Sequence, residues 1–487
     1  MTIPEEPAYE QLMYNVEQFI ENPGDQDVRV DQVFTPAMFQ ELNQQLQKVG
    51  WKSMQSYWDN DFAGRKVVSS FLKDPLLGSK RLVSMPDRVT NLIHTADGKT
   101  IYRPTVISMY DNDLPTMEAW WKVWQEYMFD TTVSIEREGQ TVDKTIWSML
   151  LPISQSKYPA ITDKEEADSL PLQTMSVAIF DAILVHMLNT VSEPSLWQPL
   201  KRKIVQSMGQ QKIPKTLGVL EDTYMDSDII TMQEVSSAMI EQAQQHRLGD
   251  KYTIVAPADM DSVRDQNSVV MLRKAVFPDW PEEITAQVYD AFPKDVKVPV
   301  SNGDIVAIKT KDVEGIPYVI CSFHGDTNGL ATKPVLDAVV HALKADTSLS
   351  DHRLIFGLDA NTYANPKPGK QQGVTDWAAY FTSFDLTSCW GDHPNPQNYT
   401  TYNARTYLQP QLNKACPKDG ECDMADINPK DFILFPKDHF EVVQTTKDNT
   451  GKKKYVEGMA FPTLNFPSDH GVLSTKIRFL DEEEVDE

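Results

Sequence analysis

Cysteine is scarce in this chain: Cys321, Cys389, Cys416 and Cys422 are the only four in 487 residues, and none is spaced Cys-x-x-Cys. That excludes a disulfide-built scaffold and argues against structural zinc. Pairing of Cys416 with Cys422 stays open for an oxidising compartment, but cysteine usage otherwise suits a reducing one. Basic residues are also short, 46 Lys and Arg against 70 Asp and Glu, for a formal net charge of −24. A long polyanion is bound by neutralising many phosphates, so this balance disfavours long nucleic acid. A small phosphorylated substrate or a short nucleic acid is easier to reconcile with it. No apolar run approaches the roughly 20 residues needed to cross a bilayer, so a membrane-spanning segment is not expected. The start, Met-Thr-Ile-Pro-Glu-Glu-Pro, has neither the basic opening nor the apolar stretch of a leader, so the expected location is the cytoplasm.

At roughly 100–200 residues per domain, the length predicts two or three domains. Residues 1–165 carry six tryptophans but no cluster of catalytic side chains, and form an expected N-terminal domain. Thr35 and Pro36 predict a helix start over 36–49. A second helix is predicted over 115–128 and a hairpin around Glu138-Gly139. The charged stretch within 158–171 reads as a linker. From 172 to 480 strands alternate with helices, which predicts an α/β layered domain, and the residues from Asp481 to Glu487 form an acidic tail. Predicted strands include 175–184, 228–232, 268–273, 305–310, 318–323, 354–358, 432–435 and 472–479.

Polar residues gather at the ends of these strands, where α/β domains place their sites. The strand at 228–232 runs into Gln233-Glu234, the one at 318–323 ends at His324, and 354–358 runs into Asp359-Ala-Asn361. Asp431 opens another strand, and Asp469-His470 precedes the last. One strand-terminal Asp or Asn is usually a turn residue. Five such positions in order point instead to a site. Carboxylate and amide oxygens suit Mg²⁺ or Mn²⁺, with Glu234 the best single ligand, and hydrolysis of a phosphate ester needs a water-orienting group and donors for developing charge. Asp359, Asn361, His324 and His470 supply that list.

The motifs Asp-Ile-Ile-Thr-Met-Gln-Glu-Val235, Gly-Leu-Asp-Ala-Asn361, Lys-Asp-Phe-Ile433 and Phe-Pro-Ser-Asp-His470 resemble, in this order, the endonuclease/exonuclease/phosphatase superfamily. Their closest resemblance is to its nocturnin and carbon-catabolite-repression deadenylase branch. The resemblance implies a four-layer α/β sandwich, two mixed sheets packed face to face and flanked by helices, behind an N-terminal α+β domain. It implies Glu234 as a metal ligand with Asp469 close to the metal, Asp359 aligning the attacking water, and Asn361 stabilising the transition state. His470, oriented by Asp431, would hold the scissile phosphate, and His324 would donate to a phosphate oxygen. Asn267, just before a strand, matches a substrate-contacting position, although a strand-initiating turn is an equal reading.

The family's first motif ends its first strand with Asn, where Val-Ala-Ile-Phe-Asp181 offers Asp as a metal ligand; Asp111-Asn112 is the competing match. The segment after His324 also lacks the residues usual in deadenylases. The expected function is therefore a Mg²⁺- or Mn²⁺-dependent phosphoesterase. Alternatives are a catalytically reduced binding or scaffold protein and a 3′-exonuclease acting on RNA.

Overall fold

The structure, a computed structural model, describes residues 6–76, 92–137, 139–156, 158–260, 264–294, 297–402 and 426–480. Cys416, Cys422 and the acidic tail lie outside the described residues. The described residues divide into two compact units between Gln210 and Gln211. Residues 172–210, expected in the C-terminal domain, thus belong to the first unit.

The first unit contains helices α1 (Pro7–Glu21), α2 (Pro36–Lys48) and α3 (Gln55–Asn60), the strand pair β1 (Leu92–His94) and β2 (Thr100–Tyr102), and helix α4 (Met117–Gln125). The hairpin β3 (Thr132–Arg137) and β4 (Gln140–Thr145) follows, then α5 (Asp163–Ala167), α6 (Ser169–Val191) and α7 (Pro194–Val205). Thr35 caps α2 through the Met38 N–H, as its sequence position predicts. The expected linker instead carries α5, closed by a Thr162/Glu165 capping box. Trp120 and Trp124 are fully buried, the usual fate of large aromatics.

One expectation fails at α6: residues 175–184 are helical, not a strand. The 23-residue helix is long and apolar enough by length and composition to cross a membrane. Its apolar window is 78% buried, the mark of a core helix. Its turns are covered on every side, so the apolar residues form no single stripe and imitate the continuous run of an interior strand.

The second unit opens with α8 (Lys212–Tyr224), β5 (Ile229–Val235), α9 (Ser237–Gln245), α10 (Arg247–Lys251), β6 (Tyr252–Val255) and β7 (Asn267–Arg273). There follow β8 (Glu282–Glu283), α11 (Thr285–Asp290), β9 (Ile305–Lys311), β10 (Pro317–His324), α12 (Thr332–Ala345), β11 (Arg353–Asp359), α13 (Val374–Thr382) and β12 (Leu386–Ser388). The chain ends with β13 (Asp431–Pro436), β14 (Phe440–Asp448) and β15 (Val472–Phe479). One sheet has the order β12-β13-β11-β10-β9-β8, with β10 and β11 parallel and its other pairs antiparallel. The other strands form an antiparallel β5-β7-β6 sheet and the β14-β15 pair.

Alternation along each strand builds the layers. In β10, Val319, Cys321 and Phe323 join a core with α12 and α13, while Ile320 joins Val270, Leu272, Val306 and Phe435 between the sheets. The opposite face of the three-stranded sheet packs Val269 and Met271 against Leu217, Leu220 and Met239 of α8 and α9. The result is a four-layer α/β sandwich, helices, sheet, sheet, helices. Strands buried on both faces are apolar throughout, which is why the sequence shows them so plainly.

Gly357 marks a close approach of the two sheets: a Cβ there would lie 2.0 Å from Thr231 Oγ1 of β5. Gly357→Ala is expected to destabilise the protein by about 1–3 kcal/mol, since an added methyl forces the sheets apart. Urea unfolding measures this, and wild-type stability in the variant would mean the sheets yield freely.

Candidate active site

Strand register assembles the site. β10 and β11 pair His324 with Asp359, and β11 and β13 pair Asp359 with Asp431. Residues opposite one another share a face, so the three polar groups form one row across three strands. Alternation turns that row away from α12 and α13 and toward the inter-sheet side, where Ser322 already hydrogen-bonds the Met232 carbonyl of β5 and accepts from Gln233. His470 arrives from the chain ahead of β15, fixed by a bridge to Thr401.

The contacts form a chain of partners. His470 Nδ1 donates to Asp431 Oδ2 at 2.9 Å, and its Nε2 lies 3.8 Å from Asp359 Oδ2. His324 Nε2 lies 3.2 Å from Glu234 Oε1 and 3.7 Å from Asp359 Oδ2. Asp359 accepts the Asn361 backbone N–H at 2.8 Å and is nearly buried, whereas the Glu234 side chain is half exposed. Glu234 and Asn361 both have positive φ, 55° and 49°, the first at a bulge between β5 and β7. Non-glycine residues in that region are uncommon and concentrate at functional positions.

Burial pushes the Asp359 carboxyl up to about 6, with Asp431 adding to the rise against His470, His324 and Lys430. Burial opposes charge on His470, but the Asp431 and Asp359 carboxylates outweigh it and hold the imidazolium well above its ordinary range. Asp469 is likewise penalised by burial, yet His470, Lys212 and Lys430 keep it below the usual carboxylate range. Two carboxylates with opposed shifts flank one charged histidine, an arrangement suited to acid–base work.

The donor set fits a hard divalent cation. Glu234, Asp359, Asp431 and Asp469 offer carboxylate oxygens, and the raised Asp359 is a buried acid that a cation would relieve. Among the described residues, the group of three or more whose possible ligand atoms all lie within 4.8 Å of one another is Asp359, Asp431 and His470.

Two expected residues stand apart. Asp181 lies on α6 in the first unit, fully buried, with Arg103 Nε at 2.9 Å, Thr105 Oγ1 donating at 2.7 Å and Trp124 Nε1 at 2.9 Å. Its carboxylate is thus consumed inside the first unit, which corrects its expected place beside Glu234. The competing Asp111 and Asn112 occupy irregular chain in that same unit. Asn267 is buried at the start of β7 and donates to the Val235 carbonyl at 3.2 Å, bracing the turn at Glu234. Sequence reasoning also missed Lys430, a buried lysine bonded to Asn361 and Asp426. Its position before Asp431 gives no sign of that, because only the tertiary fold brings the two ends of the bond together.

Residues 27–202 match a family described only as a domain of unknown function (DUF8234). No curated protein matches the chain. Among solved structures, the chain is similar to the human nocturnin catalytic domain with bound sulfate, at 15% identity and a TM-score of 0.36 over 56% of this chain and 87% of that one. It is similar to an endonuclease/exonuclease/phosphatase family protein of Bacteroides thetaiotaomicron, at 15% identity and a TM-score of 0.35, covering 55% of this chain and 89% of that one. A mannosyl-6-phosphatase of the same organism is similar at 15% identity and a TM-score of 0.35, over 55% of this chain and 91% of the other.

Proposed function

We propose that the second unit is a phosphoesterase of the endonuclease/exonuclease/phosphatase superfamily, hydrolysing a nucleotide or other small phosphorylated ester by attack of water on phosphorus. The observation that carries this reading is the row of His324, Asp359 and Asp431, completed by His470. Asp359 orients the water and receives its proton, and Asn361 holds Asp359 in place. The His470 imidazolium, fixed by Asp431, and His324 donate to phosphate oxygens where charge develops. Glu234 and Asp469 would hold Mg²⁺ or Mn²⁺, which when bound would neutralise charge on the phosphate.

The test is hydrolysis in Mg²⁺ or Mn²⁺ of short oligonucleotides, dinucleotides, inositol phosphates, sugar phosphates and an adenylate tail. Glu234→Gln should raise the metal concentration needed for half-maximal activity about 10-fold or more. Unchanged metal dependence in that variant would remove Glu234 from the site. One observation favours a second reading, a binding module: with Asp181 consumed in the first unit, the described second unit supplies no counterpart of the family's first motif. Tight binding of a phosphate compound without turnover would favour the module.

A further inference from the structure

We infer that Lys430 is a positioning residue that sets which way the Asn361 amide faces, and through it the orientation of Asp359. This rests on the phosphoesterase reading above.

Lys430 is 5% exposed, an unusual place for a lysine. Its Nζ donates to Asn361 Oδ1 at 3.0 Å and lies 2.6 Å from Asp426 Oδ2, with the Tyr363 ring centroid at 5.7 Å. The backbone joins the same parts: the Ala360 N–H donates to the Lys430 carbonyl at 2.8 Å, and the Lys430 N–H donates to Thr400 Oγ1 at 3.0 Å. Lys430 is therefore stitched to the turn that carries Asp359 and Asn361.

An asparagine amide has two ends of similar shape and opposite polarity. An ammonium only donates, so Lys430 selects the oxygen end of Asn361. The Gly325 carbonyl only accepts, and takes the Asn361 Nδ2 at 2.9 Å. The two ends are thus read independently, and the nitrogen is left to face Asp359 Oδ2 at 3.3 Å. With the Asn361 backbone N–H on Oδ1, both oxygens of Asp359 are addressed by one residue. Without Lys430, the Asn361 oxygen loses its charged donor in a buried site, and only the Gly325 carbonyl and Asp359 Oδ2, at the nitrogen end, are left to oppose rotation of the amide.

The cost of burying a lysine with its counter-ion is seldom repaid in stability, since an apolar residue of similar volume packs as well. A lysine retained at this point is better explained by what it holds.

The test compares Lys430→Met, Lys430→Gln and Lys430→Arg. Lys430→Met should lower kcat about 10- to 100-fold with KM within about threefold. Lys430→Gln and Lys430→Arg, which keep an N–H donor, should recover part of that loss. In an Asn361→Ala background, Lys430→Met should change kcat by less than about threefold, because the amide through which the lysine acts on Asp359 is then gone. A second readout needs no turnover: the Asn361 side-chain amide protons, assigned by their loss in Asn361→Ala, should exchange with solvent at least about tenfold faster in Lys430→Met. Equal losses in both backgrounds, or unchanged amide exchange, would overturn the inference. If the wild-type protein hydrolyses nothing, the phosphoesterase reading falls alone, and amide exchange still decides the role of Lys430. Should Lys430→Met not fold, Lys430→Leu, which also lacks a donor, carries the same two readouts.

Discussion

Replacing Asp359 by Asn should lower kcat by about three orders of magnitude and, in the metal-free protein, raise thermal stability at neutral pH. The first effect follows from its place between both histidines, since a positioned general base contributes about 10²–10⁴-fold. The second follows from burial. Its carboxyl is pushed up to about 6 in the fold, whereas an unfolded aspartate ionises near the usual value. Below that usual value the group is protonated in both states and costs nothing. As pH rises through the window up to about 6, the unfolded chain releases its proton first, and the folded state loses on the order of 2–3 kcal/mol. The Asp359→Asn variant, with a neutral amide in that place, would carry no such penalty. The stability gain should therefore be seen by thermal unfolding in EDTA at pH 7.5 and vanish near pH 4. A pH-independent gain would mean that the charge is not its source, and wild-type turnover would remove Asp359 from the chemistry.

His470→Ala should lower kcat by about 100- to 1000-fold, the scale on which one donor to developing charge is usually felt. Asp431→Asn is the more discriminating change. The Asp431 carboxylate and Asp359 keep His470 protonated against the pull of burial, so the variant should release that proton at lower pH. The alkaline limb of kcat/KM should shift downward with it, and the His470 ring resonance should titrate in parallel. The sign for stability is the reverse of a depressed carboxylate: the raised histidine stabilises the fold fully below the ordinary histidine value, and that contribution is lost as pH climbs through its folded value. An unmoved alkaline limb in Asp431→Asn would mean that His470 does not set it.

The strand ends that gather in the candidate site were legible because interior strands declare themselves. A continuous apolar run that stops abruptly at His324 or at Asp359, or that begins just after Asp431, marks both the strand and one of its ends, and layered packing brings such ends together. The same signal misled at Asp181. Met175–Leu184 reads alike as an interior strand or a wholly buried helix, and only the length of the element, on to Val191, separates them. Lys430 was hidden for another reason. Its bond to Asn361 spans 69 residues, and no local pattern encodes a partner so distant.

The register row has a consequence for how such a protein can change over time. His324, Asp359 and Asp431 are indexed by hydrogen-bonded ladders, so a slip of one residue between β11 and β13 would turn Asp431 toward the helices. Connections that leave the row carry no such constraint, and loops tolerate insertions that strands do not. Under the proposed chemistry, reaction and selectivity are written in separately editable parts of the chain, so lineages could exchange one substrate for another by remodelling loops while the ladder keeps the reacting groups in step.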